Sequence, residues 1–508
     1  MFFYLKIMNK YILIFSVFVV ASCGLAYELI MGALSSYVLG DSILHFSTII
    51  GTYLFAMGVG AAISKYIKDE KLIDNFINIE IAIGILGGIS AILLTLTFLY
   101  FAISFKTLLY FMVFFIGFLV GMEIPIVIRL LYLKEQELRN VISNVLSFDY
   151  LGALFVSLLF PLFFMPYFGI HRTAILFGFS NLGVAFLGSI CFLKEKNKRN
   201  NRIFVILLSL LFLMGVFAYS ESISNYAEKG VYGDEIIFSK NTKYQKIFVT
   251  KHKNDIRLFI NGNLQFSTKD EHRYHEALVH PILQAHPNPK NVLVLGGGDG
   301  LAVRELLTKE EIEKITLVDL DEDMTHIFKN NELLKKINKN SLTNSKVSVI
   351  NEDAAKWLEK NEDFYDLIIV DFPDPSNYSL GKLYSTSFYS LLKKRLSFNG
   401  YGTIQSTSPY FAPNVYWTIY STLKEVGFEV NPYHVYVPSF GDWGFFIISN
   451  NKYEIPKIKE EEFKYLTNQN LKEMFEFPKD MPKLDLEPNK LTNQTVVEKF
   501  QQDWENIH

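Results

Sequence analysis

The residues best able to do chemistry are carboxylates set beside glycines in the second half of the chain. "VLVLGGGDG", residues 292 to 300, is an apolar strand running into four glycines wrapped around Asp299. A dinucleotide fingerprint would read G-x-G-x-x-G. Here the spacing is Gly296, Gly298, Gly300, with Leu301 at the third small position, so a pyrophosphate cradle is poorly matched. Glycines still let a ligand approach the backbone closely. Asp319 lies about 20 residues on, where a carboxylate can accept both hydroxyls of a ribose. Adenosine without phosphates follows, which means an S-adenosyl ligand; the alternative is a purely structural turn. Asp299 sharpens the choice. S-adenosylmethionine carries a carboxylate, and two like charges about 4 Å apart repel by roughly 4 kcal/mol at an effective dielectric near 20. The acidic turn therefore favours a decarboxylated, cationic tail or an amine.

A second cluster is "VDFPDP", where Asp371 and Asp374 sit at and just after a strand end and Pro373 and Pro375 keep the backbone extended. Both carboxylates can enter one cleft. An alkyl amine with a pKa near 10.4 costs roughly 4 to 5 kcal/mol to deprotonate at pH 7. A carboxylate that takes the proton as the bond forms removes part of that cost. The other can hold the amine's second charged end.

These residues need a scaffold that aligns strand ends. "NVLVLGGGDG", "LAVRELLTK", "KITLVDLD", "KVSVINEDA" and "YDLIIVDFPDP" alternate apolar strands with helices, the pattern of a parallel sheet covered on both faces. Ligands of such sheets bind at the carboxyl ends of the strands, where Asp299, Asp319, Asp353 and Asp371 fall. Upstream, "IIFSKNTKYQKIFVTKHKNDIRLFINGNLQFST" reads as short strands with a hairpin turn at Asn261-Gly262. "DEHRYHEALVHPILQAHP" reads as a helix closed by Pro287 and Pro289.

The first two-fifths differs. Of 508 residues half are hydrophobic, 45 are Phe and the net charge is −3, which suggests neither a nucleic-acid binder nor an acidic solvating chain. The apolar excess is concentrated between Tyr11 and Tyr219. We expect seven spans, near 11–34, 44–63, 77–101, 108–131, 145–165, 170–193 and 203–219. "VASC" up to Cys23 imitates a lipoprotein signal, but the apolar run continues past it, favouring an uncleaved helix. Cys23 and Cys191 both fall in spans, so no disulfide framework is expected. Lys6, Lys10, Lys65, Lys68, Lys71, Arg129, Lys134, Arg139 and the 194–202 cluster mark alternate loops as cytoplasmic. Seven crossings would then leave the globular part outside. Glu28, Glu80, Glu123 and Asp149 lie within spans, where a carboxylate faces a cavity or a partner; a cation route and helix-helix hydrogen bonding are the two readings.

The expected fold is thus an N-terminal α-helical multi-pass membrane domain (1–222), a small β-domain (223–270), an α/β Rossmann-like domain of the methyltransferase type (271–455) and a C-terminal surface extension (456–508). "LFINGNLQFSTKDEHRYHEALVHPIL", "VLVLGGGDG", "LVDLD", "NEDA" and "DLIIVDFPDP", in this order, resemble the spermidine synthases, or polyamine aminopropyltransferases. "GLAYEL" and "PYHVYVPSFGDWGF" resemble the long bacterial form with an N-terminal membrane domain. The resemblance implies aminopropyl transfer from decarboxylated S-adenosylmethionine to an amine, usually putrescine, giving spermidine and methylthioadenosine. The donor is a co-substrate, and no cofactor is needed. It implies Asp371 as proton acceptor, Asp374, Asp299 and His275 as amine contacts, and Gln245, Asp319, Asp353 and Ala354 as contacts to the methylthioadenosine part. Gln265 and Tyr274 fall in motifs lining the same cleft. Asp319 stands where the family has glutamate, and Tyr378 where a proline contact is usual, which bears on the acceptor. His280 and His286 form no metal-ligand spacing with a cysteine, so no metal is expected. Related soluble enzymes form dimers or tetramers, and the donor is made in the cytoplasm, which pulls against the charge rule. The rival readings are an S-adenosylmethionine methyltransferase and a membrane polyamine transporter or sensor.

Overall fold

The computed structural model describes residues 2–39, 43–135, 137–232 and 234–505; the side chains of Lys6 and Lys134, counted above, lie outside the described residues. The chain divides into two compact units, Met1–Glu235 and Ile236–His508.

The first unit is helical: α1 (Phe2–Leu39), α2 (Ile43–Ser64), α3 (Leu72–Tyr100), α4 (Ala102–Glu135), α5 (Leu138–Leu159), α6 (Met165–Phe192) and α7 (Lys196–Tyr232). The helices bury Tyr27, Ile49, Phe76, Leu109 and Val145 among themselves, while Phe55, Phe204 and Leu211 face outward. Helices α2 and α4 meet backbone to backbone. A Cβ on Gly60 would lie 2.0 Å from the Phe118 carbonyl oxygen, and one on Gly121 2.1 Å from that of Met57, the close approach that small residues allow between apolar helices. Among the described residues six stretches, not seven, are long and apolar enough to cross a membrane, because Leu138–Phe192 runs on as one stretch of 55 residues. It takes in the fifth and sixth expected spans. Between them Phe160–Phe164 form a wider helical turn, and Gly169, at φ 69° and ψ 177°, breaks the helical path in a conformation open only to glycine.

The second unit begins with an antiparallel sheet in the order β1 (Glu235–Asn241), β2 (Lys246–His252), β3 (Asp255–Ile260), β4 (Asn263–Ser267). The Asn-Gly turn forms as expected: Asn261 and Gly262 both take positive φ, and Ile260 pairs with Asn263 across a two-residue loop. Helix α8 (Glu271–Ala285) follows and packs its apolar face, including Leu278 and Ile282, into the core.

A seven-stranded sheet forms the rest, in the order β10-β11-β9-β8-β5-β6-β7. Its chain order is β5 (Asn291–Gly296), α9 (Leu301–Leu306), β6 (Lys314–Asp319), α10 (Glu322–Asn330), α11 (Leu334–Ile337), β7 (Val347–Asn351), α12 (Ala354–Lys360) and β8 (Tyr365–Asp371). Then come α13 (Tyr378–Gly381), α14 (Thr386–Arg395), β9 (Leu396–Gln405), α15 (Pro413–Glu425), β10 (Glu429–Val437) and β11 (Gly441–Ser449). Strands β5 to β9 pair in parallel, whereas β10 and β11 add an antiparallel edge. Val292 to Leu295 are buried on both faces, which is why this strand reads as an unbroken apolar run. The strand order reverses at β5, which has β6 on one side and β8 on the other. A crevice therefore opens beyond their carboxyl ends. The residues after Pro456 are built into the unit, since Val496 and Val497 are fully buried in the same apolar cluster as Tyr384, Phe388 and Val415.

Candidate active site

Register places the chemistry. Gly296 pairs with Asp371 across β5 and β8, and Val370 pairs with Ile404, so the glycine turn, Asp371 and Gln405 end side by side. Only glycine fits the turn. Gly296, Gly297 and Gly300 all have positive φ. A Cβ on Gly296 would sit 2.1 Å from the Asp371 carbonyl oxygen, and one on Gly298 2.7 Å from Asp319 Oδ2.

Asp371 is half-buried, and its Oδ1 accepts the Tyr274 hydroxyl at 2.5 Å. Burial pushes its carboxyl up to about 6; the nearby Asp299 adds to this, while His275 and the Tyr274 hydroxyl pull the other way. Asp374 accepts Gln405 Nε2 and the Thr407 hydroxyl, each at 3.0 Å, and burial lifts it to about 6 as well. Asp299 is buried in the turn, with Oδ1 accepting the Leu301 amide at 2.9 Å; burial raises its carboxyl above the usual range.

His275 supplies the positive counterweight. Its Nδ1 lies 2.8 Å from Glu271 Oε2, and Glu271 is gripped by both guanidinium nitrogens of Arg304, at 3.0 and 2.8 Å. Burial alone would favour the neutral ring. The Glu271 carboxylate, helped by Asp299, outweighs it and holds His275 above its ordinary range. The Glu271-His275 spacing of four on α8 puts the pair on one helix face.

On the β6 side, Asp319 accepts the Gly298 amide at 3.1 Å and the Asp321 amide at 2.9 Å, and burial raises it to about 6. Gln245 meets the Asp321 side chain, whose Oδ2 also accepts the Thr242 hydroxyl at 2.7 Å. Asp353 caps α12 through the amides of Ala355 and Lys356, and its second oxygen takes Lys382 Nζ at 2.6 Å. Those partners hold it low despite burial. Ala354 beside it is buried.

The structure thus brings together Asp371, Asp374, Asp299, His275 and Tyr274 around the turn, with Asp319 and Gln245 on its other flank. Two residues stand apart. Gln265 sits at the register shift between β3 and β4 and donates to the Asn263 carbonyl. Tyr378 opens α13 and is exposed. Among the described residues no group of three or more His, Cys, Asp or Glu is placed to hold a metal ion.

Four supporting residues escaped sequence reasoning. Glu271 and Arg304 hold His275, while Gln405 and Thr407 hold Asp374. Gln405 ends β9 beside β8, so the strand-end rule applied to "GTIQSTSP" would have found it. Thr407 is buried with φ 55°, a backbone region costing a β-branched residue on the order of 1 to 3 kcal/mol. Its carbonyl accepts the Gly444 amide at 2.7 Å, which pins the strained residue under Asp374.

Residues 271–462 match the spermine/spermidine synthase domain. A polyamine aminopropyltransferase of Leptospira interrogans is 49% identical over 97% of this chain and 98% of its own length. Two from Ralstonia nicotianae are each 47% identical over 98% of this chain, covering 98% and 96% of their own lengths. Similarity at this level along both units, and not in the sheet alone, makes the chain a member of the spermine/spermidine synthase family and an aminopropyltransferase.

Proposed function

We propose that the globular unit transfers the aminopropyl group of decarboxylated S-adenosylmethionine to putrescine or a closely related diamine. The amine attacks the carbon next to the sulfonium, a C–N bond forms as the C–S bond breaks, and methylthioadenosine leaves with the sulfur neutral. Asp371 takes the proton released from the attacking nitrogen, oriented by the Tyr274 hydroxyl. Asp374 holds the far ammonium, and Asp299 with His275 sets the charge around the donor's amine. Asp319 lies where the ribose hydroxyls would sit, with Gln245 beside it and Asp353 and Ala354 toward the base. Gln265 and Tyr378 bear on the rim of the cleft rather than on the reacting atoms.

The observation that carries this reading is the under-compensated carboxylate cluster. Asp371 and Asp374 are both lifted to about 6 by burial; the His275 imidazole offsets this at Asp371, while Asp374 has the neutral Gln405 and Thr407 donors instead. A cation restores the balance. Asp371→Asn should abolish methylthioadenosine production from decarboxylated donor plus putrescine while leaving methylthioadenosine binding within a few-fold. Retained turnover, or tighter calorimetric binding of the carboxylated donor than of the decarboxylated one, would refute the assignment.

The helical part, 1–222 in our division of the chain, we read as a multi-pass membrane anchor. Long apolar helices and the large apolar side chains on their outer face support it. The segments 223–270 and 271–455 would form the catalytic part, with 456–508 appended to it. Six crossings return the chain to the side of its N-terminus and seven leave it opposite, so Leu138–Phe192 decides the side. Reporter fusions after residues 165 and 225 read both alternatives directly.

A further inference from the structure

The helical unit contains a polar node that aminopropyl transfer in the globular unit does not use. Glu80 on α3 and Glu123 on α4 are 0% and 1% exposed. The two carboxyl groups lie within hydrogen-bonding reach of each other, and none of their four buried oxygens has a partner from the rest of the fold. The other ionisable groups facing them are acidic or neutral: Asp149 from α5 faces Glu123, and Cys23 from α1 faces both. Tyr27, also on α1, faces Glu80, while Tyr53 on α2 faces Glu123 and Glu28.

A second feature comes from α6. Asn181, 1% exposed, donates its Nδ2 to the Tyr27 hydroxyl at 3.0 Å, and its Oδ1 is a buried acceptor without a donor. Tyr27 itself is held there by Gly87, where a Cβ would lie 2.3 Å from the ring. Tyr53 spends its hydroxyl proton on the Gly24 carbonyl at 2.8 Å. Apart from the Tyr27 hydroxyl proton and a proton shared by the two glutamates, the node gathers acceptors, from α3, α4 and α6.

We propose that Glu80, Glu123 and Asn181 form a binding site for a primary alkylammonium group inside the helical unit. An ammonium carries three N–H donors and no acceptor, which complements two carboxylates and an amide oxygen. The Tyr27 and Tyr53 rings add faces that attract a cation. A bare divalent ion suits the site less well, because it needs about six to eight oxygen ligands and no metal-holding group occurs among the described residues. The choice of a polyamine as the occupant rests on the aminopropyl-transfer reading; the donor-acceptor argument does not.

The test is equilibrium binding of radiolabelled spermidine to the full-length chain in lipid nanodiscs, with turnover assayed on the same preparations. The wild type should bind two amines per chain. Glu123→Gln and Glu80→Gln, isosteric and neutral, should each bind one while turning over within two-fold of wild type, which also reports that they fold. Asp374→Asn should keep the helical-unit site and weaken the other. A single amine per chain untouched by either glutamine variant, or labelled sodium retained in the amine's place, overturns the proposal. If the wild type binds two amines but makes no methylthioadenosine, the catalytic reading fails and the helical-unit site stands.

Discussion

Asp374→Asn should make the protein more stable and a poorer amine binder at the same time. In the ligand-free fold, burial lifts Asp374 from its ordinary 3.8 to about 6. At about 1.4 kcal/mol per tenfold, holding it ionised at pH 7.5 costs the fold about 3 kcal/mol, less what solvent at a half-buried site returns. Asparagine removes that cost. It must also live with the two donors that now serve the carboxylate, Gln405 Nε2 and the Thr407 hydroxyl. The hydroxyl can rotate and accept from the new amide, so at most one hydrogen bond, worth about 1 kcal/mol, is lost. The net gain is about 1 to 2 kcal/mol, or roughly 2 to 4 °C in the unfolding of the globular unit.

The sign of its pH dependence is fixed. The folded carboxyl keeps its proton up to about pH 6 and an unfolded one only to about pH 4. The Asp374 contribution to wild-type stability therefore rises as the pH falls through 6 and is missing from the variant, so the variant's advantage closes near pH 5 and reverses below it, where the lost hydrogen bond remains. Losing a charge-assisted hydrogen bond to the far ammonium should raise the amine KM about 10- to 100-fold, with kcat within a few-fold because Asp371 is intact. Thermal unfolding at pH 7.5 and 5, paired with steady-state kinetics, reads both. A lower melting temperature at pH 7.5, or an unchanged KM with a collapsed kcat, would refute the reasoning.

Three further outcomes follow from the same geometry. With Asp371 and Asp374 both needed as carboxylates and both near 6 in the free enzyme, kcat/KM should fall roughly 100-fold from pH 7 to 5 with a limiting slope near two; a flat acid limb contradicts this. Gly296→Ala puts a Cβ 2.1 Å from the Asp371 carbonyl oxygen at φ 79°, so calorimetry should find methylthioadenosine binding lost and denaturant titration a stability loss of at least about 2 kcal/mol. Glu271→Gln removes the charge that holds His275 and Arg304; titration by NMR should find His275 shifted down, and amine kcat/KM should drop about ten-fold with methylthioadenosine affinity unchanged.

Much of the catalytic unit was legible because its signals are local. Continuous apolar strands, the Asn261-Gly262 turn and the four glycines each dictate backbone over a few residues. The acidic residues that end those strands are then gathered by the sheet itself. Gln405 and Thr407 were less legible, since they reach Asp374 only through the lateral pairing of β9 with β8, and Thr407 does so from a left-handed backbone that its sequence does not announce. Arg304 was hidden for another reason: α9 carries it under α8, a packing contact that periodicity does not encode. In the helical unit hydropathy located the apolar stretches and, in the interval between 145–165 and 170–193, the break at Gly169; the wider turn at Phe160–Phe164 it did not show, because that changes hydrogen-bond spacing inside an unbroken apolar run.

The placement of compensated and uncompensated charge explains why the cleft should prefer cations. Glu271 has Arg304 and His275, and Asp353 has Lys382; these carboxylates are held low by their ion pairs. Asp371, Asp374 and Asp319 have hydroxyl, amide and backbone partners instead, and their carboxyls rise to about 6. Such groups gain more from an arriving ammonium than paired ones do, because its charge removes a desolvation cost the fold already bears. A ligand bringing its own carboxylate would add to that cost. Binding the diamine near pH 6 should therefore release protons, and calorimetry in buffers of differing ionisation enthalpy would register their number; proton uptake would mean the cleft is not the anionic site these contacts describe.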